Sequence, residues 1–250
     1  MEKLLVKLGS ELKRGYNKVF DNNTLGMKLT RFGILALDKG QSWKSNTGDW
    51  EVALVMLGGK CSVKGKDFEF AEVGGRKDVF SGKPDTVYLP RHTEYTVTAL
   101  TDYMDLAVNE SPEITIGRDN FTRKATILLD EKFDSEHFYI GEGMIPSGNW
   151  SGYPPHRHDI DNPPAELNME ATYFYRFEPA QGFGIQKVYQ PDGSIDETYT
   201  VKQNDTVAIA EGYHPLCGAP GYQMYYLWTM CGPVNRGLIS SQDPAHSWVK

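Results

Sequence analysis

The sequence predicts an all-β chain folded as two similar barrel domains, and three observations carry that prediction. Apolar residues gather in short runs rich in β-branched and aromatic side chains, separated by Gly, Pro, Asn or Asp, which is the pattern of many short strands joined by turns. Nothing alternates strand and helix as a parallel α/β sheet would, and helix is signalled only weakly, over residues 1–14. The chain also repeats itself. PDTVYLPRHTEYTVTA from Pro84 lies over NDTVAIAEGYHPLCGA from Asn204 at an offset of 120 residues, and EVALVMLGG from Glu51 lies over EATYFYRFEP from Glu170 at an offset of 119.

Taken in order, the first domain offers strands at EVALVMLGG (51–59), DTVYLP (85–90) and YTVTAL (95–100). The junction falls in RDNFTRKAT (118–126), so the domains divide at 1–120 and 121–250. The second domain offers ATILLD (125–130), ATYFYRF (171–177), DTVAIA (205–210) and MYYLWTM (224–230). A chain of 250 residues can bury a core in each half without staples.

Composition excludes several classes of function. Hydrophobic residues make up 40% and charged residues 24%, no apolar run approaches the length of a membrane span, and MEKLLVKLGSELKRGYNKVF lacks the apolar core of an export signal. Three cysteines, Cys61, Cys217 and Cys231, with no C-x-x-C, suit a reducing compartment, so the cytoplasm is the expected location. A net charge of -7, with no basic cluster beyond scattered pairs such as Lys13-Arg14 and Arg123-Lys124, leaves no footprint for nucleic acid. The oligomeric state is left open, with a homo-oligomer as one option.

The six histidines are His92, His137, His156, His158, His214 and His246, so nothing before His92 can supply an imidazole and the first half is expected to carry no metal site. In GYPPHRHD, His156 and His158 would point to the same face of a strand, because side chains alternate with period two. Glu170 opens the next β run, and His214 follows DTVAIA at a Gly-Tyr-His turn. Three imidazoles and one carboxylate form a mixed nitrogen and oxygen set for one divalent transition metal, zinc in first place, with manganese or iron as alternatives. Trp150, Trp228, Trp248 and the Tyr225-Tyr226 pair read as core or pocket wall, His137 and His246 as structural, and Cys217 as a small core residue.

GNWSGYPPHRHD, NMEATYFYRF, the Glu197-Thr198 pair, EGYHP, GYQMYYLWTMCGPV and the closing DPAHSW together resemble the 5-deoxy-glucuronate isomerases of myo-inositol catabolism. The resemblance covers most of the second half and, more faintly, the first. It implies a bicupin with metal in one barrel, metal ligands on His156, His158, Glu170 and His214, and aldose to ketose isomerisation of a small sugar acid, 5-deoxy-glucuronate, to 5-dehydro-2-deoxy-gluconate. The chain departs from the family in reading Glu170-Ala171 where two successive acidic residues are common.

That chemistry needs a base for the carbon-bound proton and a cation for the carboxylate. Glu197, on the segment leading to the ligand turn, and Tyr225 are the candidate bases. Arg176 shares the parity of Glu170, Thr172 and Phe174 along one strand and is the candidate carboxylate clamp, with Lys187 and Arg236 behind it. A metal-dependent cupin dioxygenase and a non-catalytic sugar-acid-binding cupin are the alternatives, and oxygen uptake separates the first of these from the isomerase.

Overall fold

Two large antiparallel sheets share one strand order. A computed structural model describes residues 4–21, 24–28, 30–107, 113–116, 119–130, 134–135, 137–233 and 237–249. In the first half the order is Gly15–Phe20, Phe32–Asp38, Tyr103–Leu106, Val52–Gly58, Thr86–Leu89. In the second half the same order runs Arg123–Leu129, Phe138–Ile145, Gln223–Cys231, Glu170–Glu178, Asp205–Ile209. Each half adds a four-stranded sheet, again in matching order: Ser42–Asn46, Glu94–Ala99, Lys60–Gly65, Glu69–Gly74 in the first, and Trp150–Ser151, Leu216–Gly218, Phe183–Tyr189, Asp196–Lys202 in the second. The segments that repeat in sequence therefore occupy equivalent strands.

The sheets do not respect a boundary at residue 120. The Leu5–Lys7 strand pairs with Asp205–Ile209, and Glu113–Ile116 pairs with Arg123–Leu129, so both extend the second half's large sheet. The weak helical expectation over 1–14 gives way to this strand, because three residues can satisfy their backbone on a sheet edge more cheaply than in an isolated turn of helix. Among the described residues the helical elements are two 3-10 turns, Asp119–Phe121 and Pro244–His246.

Three apolar cores result. One fills the first half's barrel (Leu54, Met56, Val63, Val97), one fills the second half's barrel (Tyr173, Tyr175, Val188, Trp228), and a third lies between the two large sheets, where Phe32, Ile34 and Val55 meet Ile140, Phe174 and Leu227. Each large sheet is thus covered on both faces. This is why ATYFYRF and MYYLWTM read as continuous apolar runs rather than alternating ones. Trp228 takes its expected place in the barrel, whereas Trp248 does not: it is 76% exposed, beyond the last sheet contact. No helix among the described residues is long and apolar enough to cross a membrane.

Candidate metal centre

The barrel face of the second half carries the histidines. His156 lies on a two-residue strand, His156–Arg157, which pairs with Ser241–Gln242, and His158 follows it with the same parity. His214 comes from the turn after Asp205–Ile209, and Gly152 lets that turn approach the His156 loop: its φ is +61°, and a Cβ there would meet the His214 carbonyl oxygen at 3.2 Å. The three rings converge, with centroids 6.2 Å (His156 to His158), 5.0 Å (His156 to His214) and 4.8 Å (His158 to His214) apart. One nitrogen from each lies within 4.8 Å of the other two.

Hydrogen bonds fix which nitrogen faces the centre. His158 Nδ1 is 2.7 Å from the Met169 carbonyl, and His214 Nδ1 is 2.8 Å from the Gly212 carbonyl, so each carries its proton on Nδ1 and leaves a lone pair on Nε2. Both Nε2 atoms are buried without a hydrogen-bond partner. Two orphaned lone pairs aimed at one point are costly unless something occupies that point. Burial drives the imidazoles to the neutral form a ligand needs: His156 is pushed down to about 3, by burial first and then by His158 and Arg123, while His158 is lowered and His214 falls well below its ordinary value.

A layer of side chains holds these imidazoles in place. Asp159 accepts from Gly212 N at 2.7 Å and from Gln190 Nε2 at 3.1 Å, tying the HRHD loop to the His214 turn. Gln186, fully buried, donates to the His214 carbonyl at 2.7 Å and is itself held by Tyr175. Glu166 folds the intervening loop by accepting from Asp159 N and Ile160 N at 2.8 and 3.0 Å. Burial raises the Glu166 carboxyl, but hydrogen bonds from Ser241 and these two amides outweigh it and hold the group below its ordinary range.

Comparison with known proteins adds the family. The KduI/IolB family model matches residues 4–115 and 108–249. The chain belongs to the KduI/IolB family. Curated relatives include the 5-deoxy-glucuronate isomerase of Geobacillus kaustophilus (strain HTA426), 36% identical over 266 residues covering 100% of this chain and 96% of the relative. Another is that of Bacillus subtilis (strain 168), 36% identical over 259 residues covering 96% and 95%. The crystal structure of an IolB-like protein from Salmonella typhimurium LT2 superposes with a TM-score of 0.90 at 30% identity, covering 99% of both chains. An oxalate decarboxylase from Lactobacillus farciminis, in a formate complex, superposes at 0.67 with 10% identity over 97% of this chain and 89% of that one, which speaks for the cupin fold alone.

Within this KduI/IolB chain, the other expected site residues lie apart from the imidazoles. Glu170, Thr172, Phe174 and Arg176 do share one face, but it is the face toward the first half, as Phe174 in the middle core shows, while Ala171, Tyr173 and Tyr175 face the barrel. The Glu170 carboxylate accepts from Lys28 N at 2.8 and 2.9 Å and does not join the histidine group. Arg176 is ion-paired to Asp105 and donates to Asn204 Oδ1 at 2.9 Å, and its cross-strand neighbour Tyr225 is fully buried beside Glu142 and Arg76, its phenol raised well above the ordinary value chiefly by burial. Glu197 is exposed on the outer Asp196–Lys202 strand. Lys187 is paired with Asp196, and Arg236 lies outside the described residues.

The repeat held a signal about Glu170. Its counterpart Glu51 does the same work in mirror, accepting from His137 N at 2.8 Å and Phe138 N at 3.2 Å. Two matching glutamates that each cap the other half's backbone are structural. His137 is likewise structural, with Nδ1 2.9 Å from the Gly232 carbonyl. Cys217 is half-buried with its thiol pushed up by burial, as expected of a packing residue.

The pocket wall includes Tyr226 and Trp228, as expected of core or wall aromatics, and adds Arg123 and Ser151, which the sequence did not single out. His156 and His158 open onto Arg123, Ser151, Tyr226 and Trp228. Tyr226, one residue from the nominated Tyr225, faces the barrel and shares a 2.7 Å hydrogen bond with Ser151 Oγ. A roomier cavity, about 280 Å³ against about 60 Å³, lies between the first half's Trp43, Trp50 and Tyr95 and the second half's Phe138 and Leu227, and its lining holds no imidazole. The donor atoms, not the volume, mark the chemistry.

Proposed function

We propose that this chain is an aldose-ketose isomerase that converts 5-deoxy-glucuronate to 5-dehydro-2-deoxy-gluconate, with one divalent transition metal held by His156, His158 and His214. The activity rests on relatives of near full-length overlap that bear the name 5-deoxy-glucuronate isomerase. The metal rests on one observation: the buried, unpartnered Nε2 atoms of His158 and His214, each with its Nδ1 already committed. Three neutral imidazoles suit zinc first, then manganese or iron, and leave coordination positions for substrate oxygens. When bound, the metal supplies a Lewis acid for the oxygens on C1 and C2 of the open-chain sugar.

The chain's own groups do the rest. Isomerisation removes the hydrogens from C2 and its hydroxyl and places one each on C1 and its oxygen, so a group that can both give and take a proton must stand beside these atoms. The hydrogen-bonded Tyr226-Ser151 hydroxyl pair on the pocket wall supplies such a group. Tyr173 and Trp228 wall the site and exclude water. In this reading the domain spanning 1–120 holds no metal and serves to cover the catalytic sheet's far face.

A solvent-proton exchange assay on 5-deoxy-glucuronate tests the proposal. Exchange at the reacting carbon should vanish in metal-stripped protein and return with zinc or manganese, with no oxygen consumed. Full exchange by stripped protein would remove the metal from the mechanism, and oxygen consumption would replace the isomerase by a dioxygenase.

A further inference from the structure

Side chains of the Arg123–Leu129 strand alternate, and Arg123, Ala125 and Ile127 fall on the barrel side together. Arg123 therefore lines the pocket that holds His156 and His158, in line with two apolar residues that form its wall. It is half-buried, and its recorded hydrogen bond is a long one, from Nη1 to the Phe121 carbonyl at 3.4 Å.

Three other buried or half-buried arginines, Arg76, Arg157 and Arg176, are all matched to carboxylates. Arg76 meets Glu142 at 3.1 Å, Arg157 lies 3.5 and 3.6 Å from Asp159 and Glu166, and Arg176 pairs with Asp105. Arg123 has no acidic partner among the described residues, and it is the one cation on the wall of this pocket. A partly desolvated guanidinium without a counterion is unfavourable, and a bound carboxylate relieves the cost through two parallel hydrogen bonds.

We infer that Arg123 is the carboxylate-recognition residue of this site, binding the C6 carboxylate of an open-chain sugar acid whose C1 end lies at the histidines. The inference rests on the isomerase reading for which end of the substrate faces inward. It makes Arg123 a specificity determinant: sugars that end in a neutral group lack the partner the guanidinium requires. The Ser151 and Tyr226 hydroxyls, on the same wall, are then left for the proton transfer at the C1 and C2 end.

The test compares 5-deoxy-glucuronate with its C6 carboxamide on wild type, Arg123→Gln and Arg123→Lys, all metal-loaded. Wild type should prefer the acid. Arg123→Gln should raise KM for the acid roughly 10- to 100-fold, as loss of a charge-assisted pair implies, and should cease to distinguish acid from amide. Arg123→Lys, which keeps charge but not the fork, should fall between and covers the case in which the glutamine variant misfolds. Metal content should stay unchanged in both. An Arg123→Gln enzyme that keeps the wild-type KM and the wild-type preference for the acid overturns the inference. If instead wild type fails to turn over the acid, the isomerase reading has failed, and calorimetric binding decides the clamp: tighter binding of acid than amide, lost in Arg123→Gln, supports it, and equal affinities overturn it.

Discussion

At the residue scale, the two sets of acidic and imidazole groups that looked alike in sequence separate by what they touch. His214 ends in a buried lone pair, whereas Glu170 ends on a backbone amide of the other half. Substituting His156→Ala or His214→Ala should therefore empty the metal site, while Glu170→Gln should keep metal and lose stability, read by elemental analysis beside thermal denaturation; metal loss in Glu170→Gln would return it to the ligand set. Asp159→Ala should leave the fold standing but loosen the histidine loop, weakening metal retention about 10- to 100-fold in a chelator competition. Acid should also act through these histidines. The unfolded chain titrates near the ordinary value of 6.5, while folded His156 sits at about 3, so between those values the unfolded state binds protons that the native state refuses. Stability of metal-stripped protein should fall as pH drops through 6.5, by at most about 1.4 kcal/mol per pH unit for each histidine. A melting temperature that stays flat from pH 7 to 5 would count against neutral rings at all three positions.

At the scale of the element, one strand carries two unrelated jobs on alternate residues. Along Glu170–Glu178 the even positions meet the first half and the odd positions line the barrel, and along Gln223–Cys231 the division holds with parity reversed, Tyr226 and Trp228 lining the barrel and Tyr225 and Leu227 meeting the first half. Tyr226→Phe should lower kcat with fold and metal intact, because it removes a pocket hydroxyl, and Tyr225→Phe should leave kcat alone; steady-state kinetics on both variants decides which tyrosine reacts. Phe174→Ala should destabilise by about 3–5 kcal/mol, since it opens a hole in the core between the sheets. Here lies the limit of what could be read beforehand. The strands, the repeat and the convergence of three histidines were legible, because turn residues, internal similarity and period-two spacing are local signals. Alternation also sorted Glu170 and Arg176 onto one face correctly. It could not say which face, because both are buried: Thr172 and Phe174 are as hidden as Ala171 and Tyr173, so hydrophobicity held no contrast to read. Arg123 was passed over as one of a scattered basic pair for the same reason, since only the sheet's orientation gives it a pocket.

At the scale of the whole molecule, the halves are joined as one body. Buried ion pairs cross the interface in both directions, Arg76 to Glu142 and Arg176 to Asp105, beside the matched glutamate caps and a shared apolar core. Arg76→Met strands the Glu142 carboxylate in that core and should cost about 3–5 kcal/mol, seen as a lowered denaturant midpoint. Residues 121–250 expressed alone should aggregate or unfold even though they hold all three clustered imidazoles, because Phe174, Leu227 and Ile140 would face water. A stable, monodisperse fragment on size-exclusion chromatography would contradict this.

The Leu5–Lys7 strand has a consequence for how the chain is made. It completes the second half's sheet by lying along Asp205–Ile209, so it and its partner leave the ribosome about 200 residues apart, roughly 10–40 s at ordinary elongation rates. During that interval the segment has no native partner and must stay unattached while the first half gathers behind it. The segment is thus made long before the strand it docks against, and a bulky fusion placed ahead of it would travel to the edge of the sheet that carries the imidazole group.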